Sequence, residues 1–125
     1  MVAYKLMREV TWCEEVQDWN ETRDNLNYSR SLEYAMLDEE VGEFLEAGLA
    51  DDKVAMADAL ADILVVATGS LYKLCGGDKY KFDDIMLAVT AANNTKSEKK
   101  DAKGKIQKPV DFIGPEKMIE DILCK

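Results

Sequence analysis

Four carboxylates interrupt helical patterns that are otherwise apolar. Glu40 and Glu43 fall inside the apolar periodicity of residues 31–50, and Asp58 and Asp62 break an otherwise uncharged run over residues 54–72. At 100° per residue, Glu40 projects between Met36, Leu37, Phe44 and Ala47, in the middle of the apolar face. Glu43 lies about 60° away at the edge of that face. Asp58 and Asp62 are four apart and share one side of their helix, flanked by Ala55, Val65, Val66 and Gly69. A buried carboxylate without a partner is costly, and several together repel one another. The chain has no histidine and few lysines nearby, so the economical remedy is a divalent cation.

The donor set narrows which cation. A glutamate pair at i, i+3 facing an aspartate pair at i, i+4 makes a cage of hard oxygens, which suits Mg2+, with Mn2+ as the variant. Di-iron bundles also use inward carboxylates, but their Glu-x-x-His motif needs histidine. Calcium loops need Asp and Gly at fixed offsets that are not found here. A cation in the cage inverts the local charge and lets phosphates approach. Asn93, on a stripe with Met86, Val89 and Thr90 expected to face the core, and Lys96 one turn on, offer amide and ammonium donors. Carboxylates, cation, amide and lysine together describe a site for a nucleoside triphosphate.

These side chains need helices to hold them. Helical spacing runs over about residues 6–25, through Val10, Trp12, Cys13, Val16 and Trp19. A second helix covers about 31–50, with Ser29 or Ser31 as its cap, and a third covers about 54–74 behind Asp51 or Asp52. That third helix is apolar all round, as expected at the centre of a bundle, and Cys75-Gly76-Gly77 stops it. A fourth helix spans about 81–96. Residues 97–114 are rich in lysine and lack helical period, which predicts a basic loop with a short extended piece near 105–112. A short last helix starts at Pro115. The expectation is one all-α domain over residues 1–125, of four-helix-bundle type. Its core helices would cover about 6–96, and its basic loop and short C-terminal helix 97–125.

Bulk properties exclude several classes. A net charge of −9 argues against a surface that coats nucleic acid. Residues 38–62 carry nine acidic side chains and one base, Lys53, so most of the imbalance is local. Asp38, Glu39, Glu46, Asp51 and Asp52 read as a solvated face. The three cysteines form no C-x-x-C pair, which points to reduced thiols in a cytoplasmic protein rather than a zinc site or a disulfide framework. The 54–72 run holds two aspartates and reads as a core helix rather than a membrane span.

The stretch Leu37-Asp-Glu-Glu-Val-Gly-Glu-Phe-Leu-Glu-Ala47, followed by Asp58-Ala-Leu-Ala-Asp62, resembles the MazG-like all-α nucleoside triphosphate pyrophosphatases. That superfamily includes dimeric dUTPases and phosphoribosyl-ATP pyrophosphohydrolases. Its motif is Glu-x-x-Glu, a spacer, then Glu-x-x-Asp. Glu40 and Glu43 match the first half and Asp62 the final position, while Ala59 stands where most members have glutamate. Asp58, one residue earlier, reaches the same face, as in an Asp-x-x-x-Asp form of the motif. Asn93-Asn94-Thr95-Lys96 resembles the family's Asn-x-x-Lys segment, and Gly104-Lys105-Ile106-Gln107-Lys108 its C-terminal Gly-Lys-x-x-Lys piece.

The resemblance implies hydrolysis of a (d)NTP between its α and β phosphates, releasing pyrophosphate. Glu40, Glu43, Asp58 and Asp62 would be metal ligands, and Asn93, Lys96, Lys105 and Lys108 phosphate contacts. Glu39 or Glu43 could take the proton from water, and a purely metal-assisted route stays open. Trp19 is the leading candidate to stack on the base, ahead of Trp12 and Tyr34, though large aromatics on amphipathic helices also serve core and subunit contacts. The resemblance also implies a homodimer or homotetramer. Two other readings stand beside this one: a pyrophosphohydrolase of phosphoribosyl-ATP or another nucleotide metabolite, and an acidic helical interaction module without catalysis.

Overall fold

The computed structural model describes residues 11–125, and the predicted start of the first helix over residues 6–10 lies outside them. Five helices occur among the described residues, and no strand. They are α1 (Trp12–Thr22), α2 (Arg30–Leu49), α3 (Lys53–Leu74), α4 (Lys79–Asn94) and α5 (Glu116–Leu123). The chain divides into two units at Gly77/Asp78.

In the first unit α3 packs along α2 and, less extensively, against α1. Local chemistry sets the helix ends. The Thr11 hydroxyl accepts from Glu14 N at 3.2 Å to open α1. Asp52 accepts from Ala55 N at 3.0 Å to open α3, whereas Ser29 stands at the N-cap of α2 without a side-chain cap bond. Between α2 and α3, Asp51 adopts φ +50°, a left-handed turn that aspartate tolerates better than most residues. The α3 stop is glycine chemistry: Gly76 and Gly77 sit at φ +65° and +74°, and Gly77 N donates back to Tyr72 O at 3.0 Å. Gly69 lets α1 come close, since a Cβ there would lie 3.3 Å from Asn20 Nδ2.

The buried layer of this unit is unusually polar. Gln17, Asn20, Glu33, Thr68 and Lys73 are buried alongside Ala47, Ala59 and Tyr72. The Tyr72 hydroxyl donates to Glu21 on α1. Asn20 donates from Nδ2 to Val16 O at 2.9 Å and accepts from Asn25 Nδ2 at 2.8 Å. Lys73 Nζ donates to Glu33 Oε1 at 3.0 Å, tying the end of α3 to the start of α2.

The expectation that α3 would be buried as a central helix is corrected. Leu60, Leu64 and Val65 are all about half exposed, and only 17% of its most apolar window is buried within this chain. Its apolar faces point two ways, and α2 and α1 together cover one of them.

In the second unit α5 packs against α4. Asp78 caps α4, accepting from Tyr80 N and Lys81 N at 2.9 and 3.2 Å. The basic segment folds back on itself, and the predicted extended piece is reduced to residues 105–107, paired with 97–101. One isolated antiparallel bridge joins Lys100 to Ile106, and Gly104 at φ +85° makes the reversal. The Asp101 carboxylate accepts from Lys103 N and Lys105 N, both at 2.9 Å, and so fixes the turn. Backbone bonds across the reversal, Ser97 N to Gln107 O at 3.1 Å and Gln107 N to Lys99 O at 2.9 Å, hold its two arms together.

The Glu33–Lys73 pair makes a sharp stability prediction. Lys73→Met leaves a carboxylate buried without its cation and should cost about 3–5 kcal/mol in urea denaturation. The double variant Glu33→Met/Lys73→Met should recover most of that loss. A K73M protein as stable as the parent would show that the pair contributes nothing.

Candidate metal centre

The contact between α2 and α3 puts Glu40, Glu43 and Asp62 in one group. One carboxylate oxygen from each lies within 4.8 Å of the others. Glu40 and Asp62 are half-buried, and Glu43 is exposed at the edge, as the helical projection of Glu40 and Glu43 requires. Gly42, between the two glutamates, has open space where a Cβ would stand, so no side chain closes that approach.

Glu40 shows the strain of this arrangement. Its Oε2 is shut off from solvent and has no hydrogen-bond partner. Its pKa lies above the ordinary 4.5, first through desolvation and then through the charges of Glu43, Asp62 and Glu39. A hydrogen bond with Glu43 acts in the same direction. Among the described residues no lysine or arginine forms an ion pair with these three carboxylates. Three hard oxygen donors in reach of one point, one of them buried and unsatisfied, fit a divalent cation.

Asp58 stands one turn before Asp62 on α3, exposed, and is not part of the group of three. Glu39 is exposed and acts on the centre through its charge on Glu40.

The lysines singled out in the sequence lie in the second unit, where three of them meet. Lys96, Lys105 and Lys108 line a concavity of about 460 Å³ together with Asp101, Ile106 and Gln107. The ammonium groups of Lys96 and Lys108 sit 5.8 and 5.2 Å from the centroid of the Phe112 ring. Cation–π attraction at that range holds both side chains over one aromatic base. Asn93 does not line this concavity. It is exposed on the last turn of α4, against the expectation that it faces the core.

Trp19 is about half exposed, with the Arg23 guanidinium 4.3 Å from its ring centroid. It lines a cavity of about 190 Å³ between α1, α2 and α3, whose polar lining is Asn20, Asn25, Glu33 and Lys73. Sequence reading missed the Glu33–Lys73 pair. Glutamate in a first helical turn and lysine in a last one pass as ordinary partners of the helix dipole. The available signal was spacing: Glu33, Met36 and Glu40 follow i, i+3, i+7 and lie on the same stripe.

The profile of one protein family, described as phosphoribosyl-ATP pyrophosphohydrolase, matches residues 12–74, about half of the chain. That span contains α1, α2 and α3 and all four carboxylates. No curated protein matches the chain.

The raised pKa of Glu40 fixes the sign of a pH effect. Without metal, the folded protein keeps this proton to higher pH than the unfolded chain does, so stability drains as pH rises above 4.5 and is fully present below it. Glu40→Gln cannot ionise. It should therefore melt above the parent at pH 7 in EDTA and level with it at pH 4. Millimolar Mg2+ should raise the parent's melting temperature at pH 7 and leave that of E40Q nearly unchanged. Equal responses of the two proteins to Mg2+ would remove Glu40 from the ligand set.

Proposed function

The chain belongs to the phosphoribosyl-ATP pyrophosphohydrolase family, and from that premise we propose that it is a Mg2+-dependent nucleoside triphosphate pyrophosphohydrolase acting in the cytoplasm. It would convert a (d)NTP and water into the monophosphate and pyrophosphate. The observation that carries this reading is the convergence of Glu40, Glu43 and Asp62 around the unpartnered Glu40 Oε2.

Glu40, Glu43 and Asp62 would hold the cation, with Asp58 turning in from the preceding turn of α3. When bound, such a cation supplies Lewis acidity at the α-phosphoryl group and lowers the pKa of water beside it. The protein's own groups do the rest. Glu43, exposed at the edge of the group, would accept a proton from the attacking water, with Glu39 the second candidate for that role. Lys96, Lys105 and Lys108 would neutralise the phosphates and the charge that develops on departing pyrophosphate. Asn93 would add an amide donor.

The family description favours a second reading, with phosphoribosyl-ATP as the substrate. Both reactions release pyrophosphate, so the products separate them. Incubation with Mg2+ and a panel of nucleotides, with pyrophosphate measured and products identified by mass, should show turnover of at least one (d)NTP. Glu43→Gln and Asp62→Asn should each lower that rate by about 100-fold or more. Cleavage of phosphoribosyl-ATP with plain triphosphates untouched would transfer the activity to the second reading. No cleavage of any nucleotide would leave an acidic interaction module.

We also propose that the chain works as a homodimer or homotetramer. The most apolar 18-residue window of α3 has a mean hydropathy of 1.7, and the helix is long and apolar enough to cross a membrane, yet it carries Asp58, Asp62 and the buried Lys73. Leu60 and Leu64 on α3, with Leu45, Leu49 and Leu32 on α2, are large apolar side chains left nearly half exposed or more. Apolar area of this extent on a helix pair is covered most simply by a second copy. Light scattering should give at least twice the 14.1 kDa of one chain at micromolar concentration. Leu64→Glu should shift the protein toward the single-chain mass, and a parent that is already monomeric refutes the proposal.

A further inference from the structure

The cavity between α1, α2 and α3 has a property that its neighbours lack. In its lining, Glu33 is buried, and its two carboxylate oxygens are used unequally. Oε1 accepts from Ser70 Oγ at 3.1 Å and from Lys73 Nζ at 3.0 Å, which fills its lone pairs. Oε2 is buried and accepts nothing. An anionic oxygen left without a donor is costly, and such groups in folded proteins usually have a reason. Here the residue lines a cavity of about 190 Å³ that Trp19, Met36, Val65 and Val66 also wall. That is room for one flat heterocycle beside an aromatic ring and aliphatic side chains. The last torsion of a glutamate is soft, so a small rotation turns Oε2 toward an incoming donor.

We propose that this cavity is a base-reading pocket and that the base it fits best is guanine, an inference that rests on the nucleotide reading above. Oε2 keeps the capacity for two donors. Guanine sets two N–H donors side by side on its pairing edge, at N1 and N2, and carries an acceptor, O6, next to them. Lys73 has N–H groups beyond the one given to Glu33, and they suit O6. Adenine, cytosine and uracil each offer one donor position on that edge and leave half of the Oε2 capacity unmet. Trp19, held by Arg23, gives the ring a stacking wall.

Position agrees with this assignment. Glu33 lies two helical turns before Glu40 on α2, about 10 Å along the axis. Gly69, which also lines the cavity, is two turns after Asp62 on α3. Met36, Val65 and Val66 occupy the turn between. The pocket and the carboxylate group therefore share one seam, separated by a distance that a nucleoside spans. A substrate with its base at Glu33 would lay its sugar along Met36 and Val66 and its α-phosphate toward Glu40 and Asp62.

The test uses nucleosides and metal-free protein, so it depends on neither phosphate nor cation. Guanosine binding is measured by saturation-transfer NMR and titration calorimetry in EDTA, against N1-methylguanosine, adenosine, cytidine and uridine. Guanosine should bind, and N1-methylguanosine, whose methyl group replaces the N1 donor, should bind at least tenfold more weakly. Trp19→Leu, on the exposed rim, should weaken guanosine about tenfold with an unchanged circular dichroism spectrum. Equal binding of guanosine and its N1-methyl derivative overturns the proposal, as does an absence of guanosine binding. Guanosine binding without any pyrophosphate release keeps the pocket and removes the hydrolase reading. Pyrophosphate release at the same efficiency from every base removes the pocket and keeps the hydrolase.

Discussion

Repulsion between carboxylates that cannot separate governs the first half of this chain. Glu40 and Asp62 are fixed to two helices whose apolar side chains pack, and only residues 50–52 join those helices. Packing favours close approach, while charge opposes it in a place where water screens poorly. The raised pKa and unpartnered oxygen of Glu40 are two expressions of that conflict. Much else follows from how it is contained. Glu43 stays at the exposed edge, Asp58 points to solvent, and the compensating Lys73 is spent at the far end of the seam on Glu33. The centre keeps its negative charge because the nearest buried cation is already committed.

The same seam carries polarity of two kinds. At Glu33 an ammonium, a hydroxyl and a carboxylate meet, and burial there is tolerable because opposite charges touch at 3.0 Å. At Glu40 no opposite charge is within reach among the described residues, so what a bound cation would provide is the counterpart that Lys73 provides two turns away. The second unit inverts the sign. Lys96 and Lys108 lie over Phe112, and with Lys105 they line a concavity in which the Asp101 carboxylate accepts from backbone amides.

Sequence carried the helices and the setting of Glu40 and Glu43 well, because both depend on near-neighbour rules, whereas Asp58, expected beside Asp62, is exposed and outside the group. The 3.6-residue period set Glu40 in an apolar stripe and Glu43 at its margin, and the exposures agree. Capping and glycine chemistry placed the ends of α3 within a residue. Periodicity cannot tell whether an apolar face is covered by its own chain or by another, so α3 was expected to be buried and is not. Lys73 and Glu33 are 40 residues apart, and nothing local marks either as one half of a buried pair. The reversal at Gly104 depends on the Asp101 side chain capturing two amides, a detail that lysine-rich composition hides. Asn93 turned outward because the buried stripe of α4 runs through Phe82, Ile85, Ala88 and Ala92, and Met86, Thr90 and Asn93 fall beside it.

The short turn at Asp51 has a consequence for how the protein is made. Glu40 and Asp62 are 22 positions apart, and the two helices that hold them form a hairpin closed by a three-residue link. Contacts of such low sequence separation are among the first that a folding chain can form. The most repulsive point of the molecule is thus assembled early, before the Glu33–Lys73 pair can close at the far end. A divalent cation met at that stage would act as a folding partner, speeding the zippering of α2 onto α3. The ionic composition of the medium would then be written into the folding rate of this chain before any nucleotide is encountered.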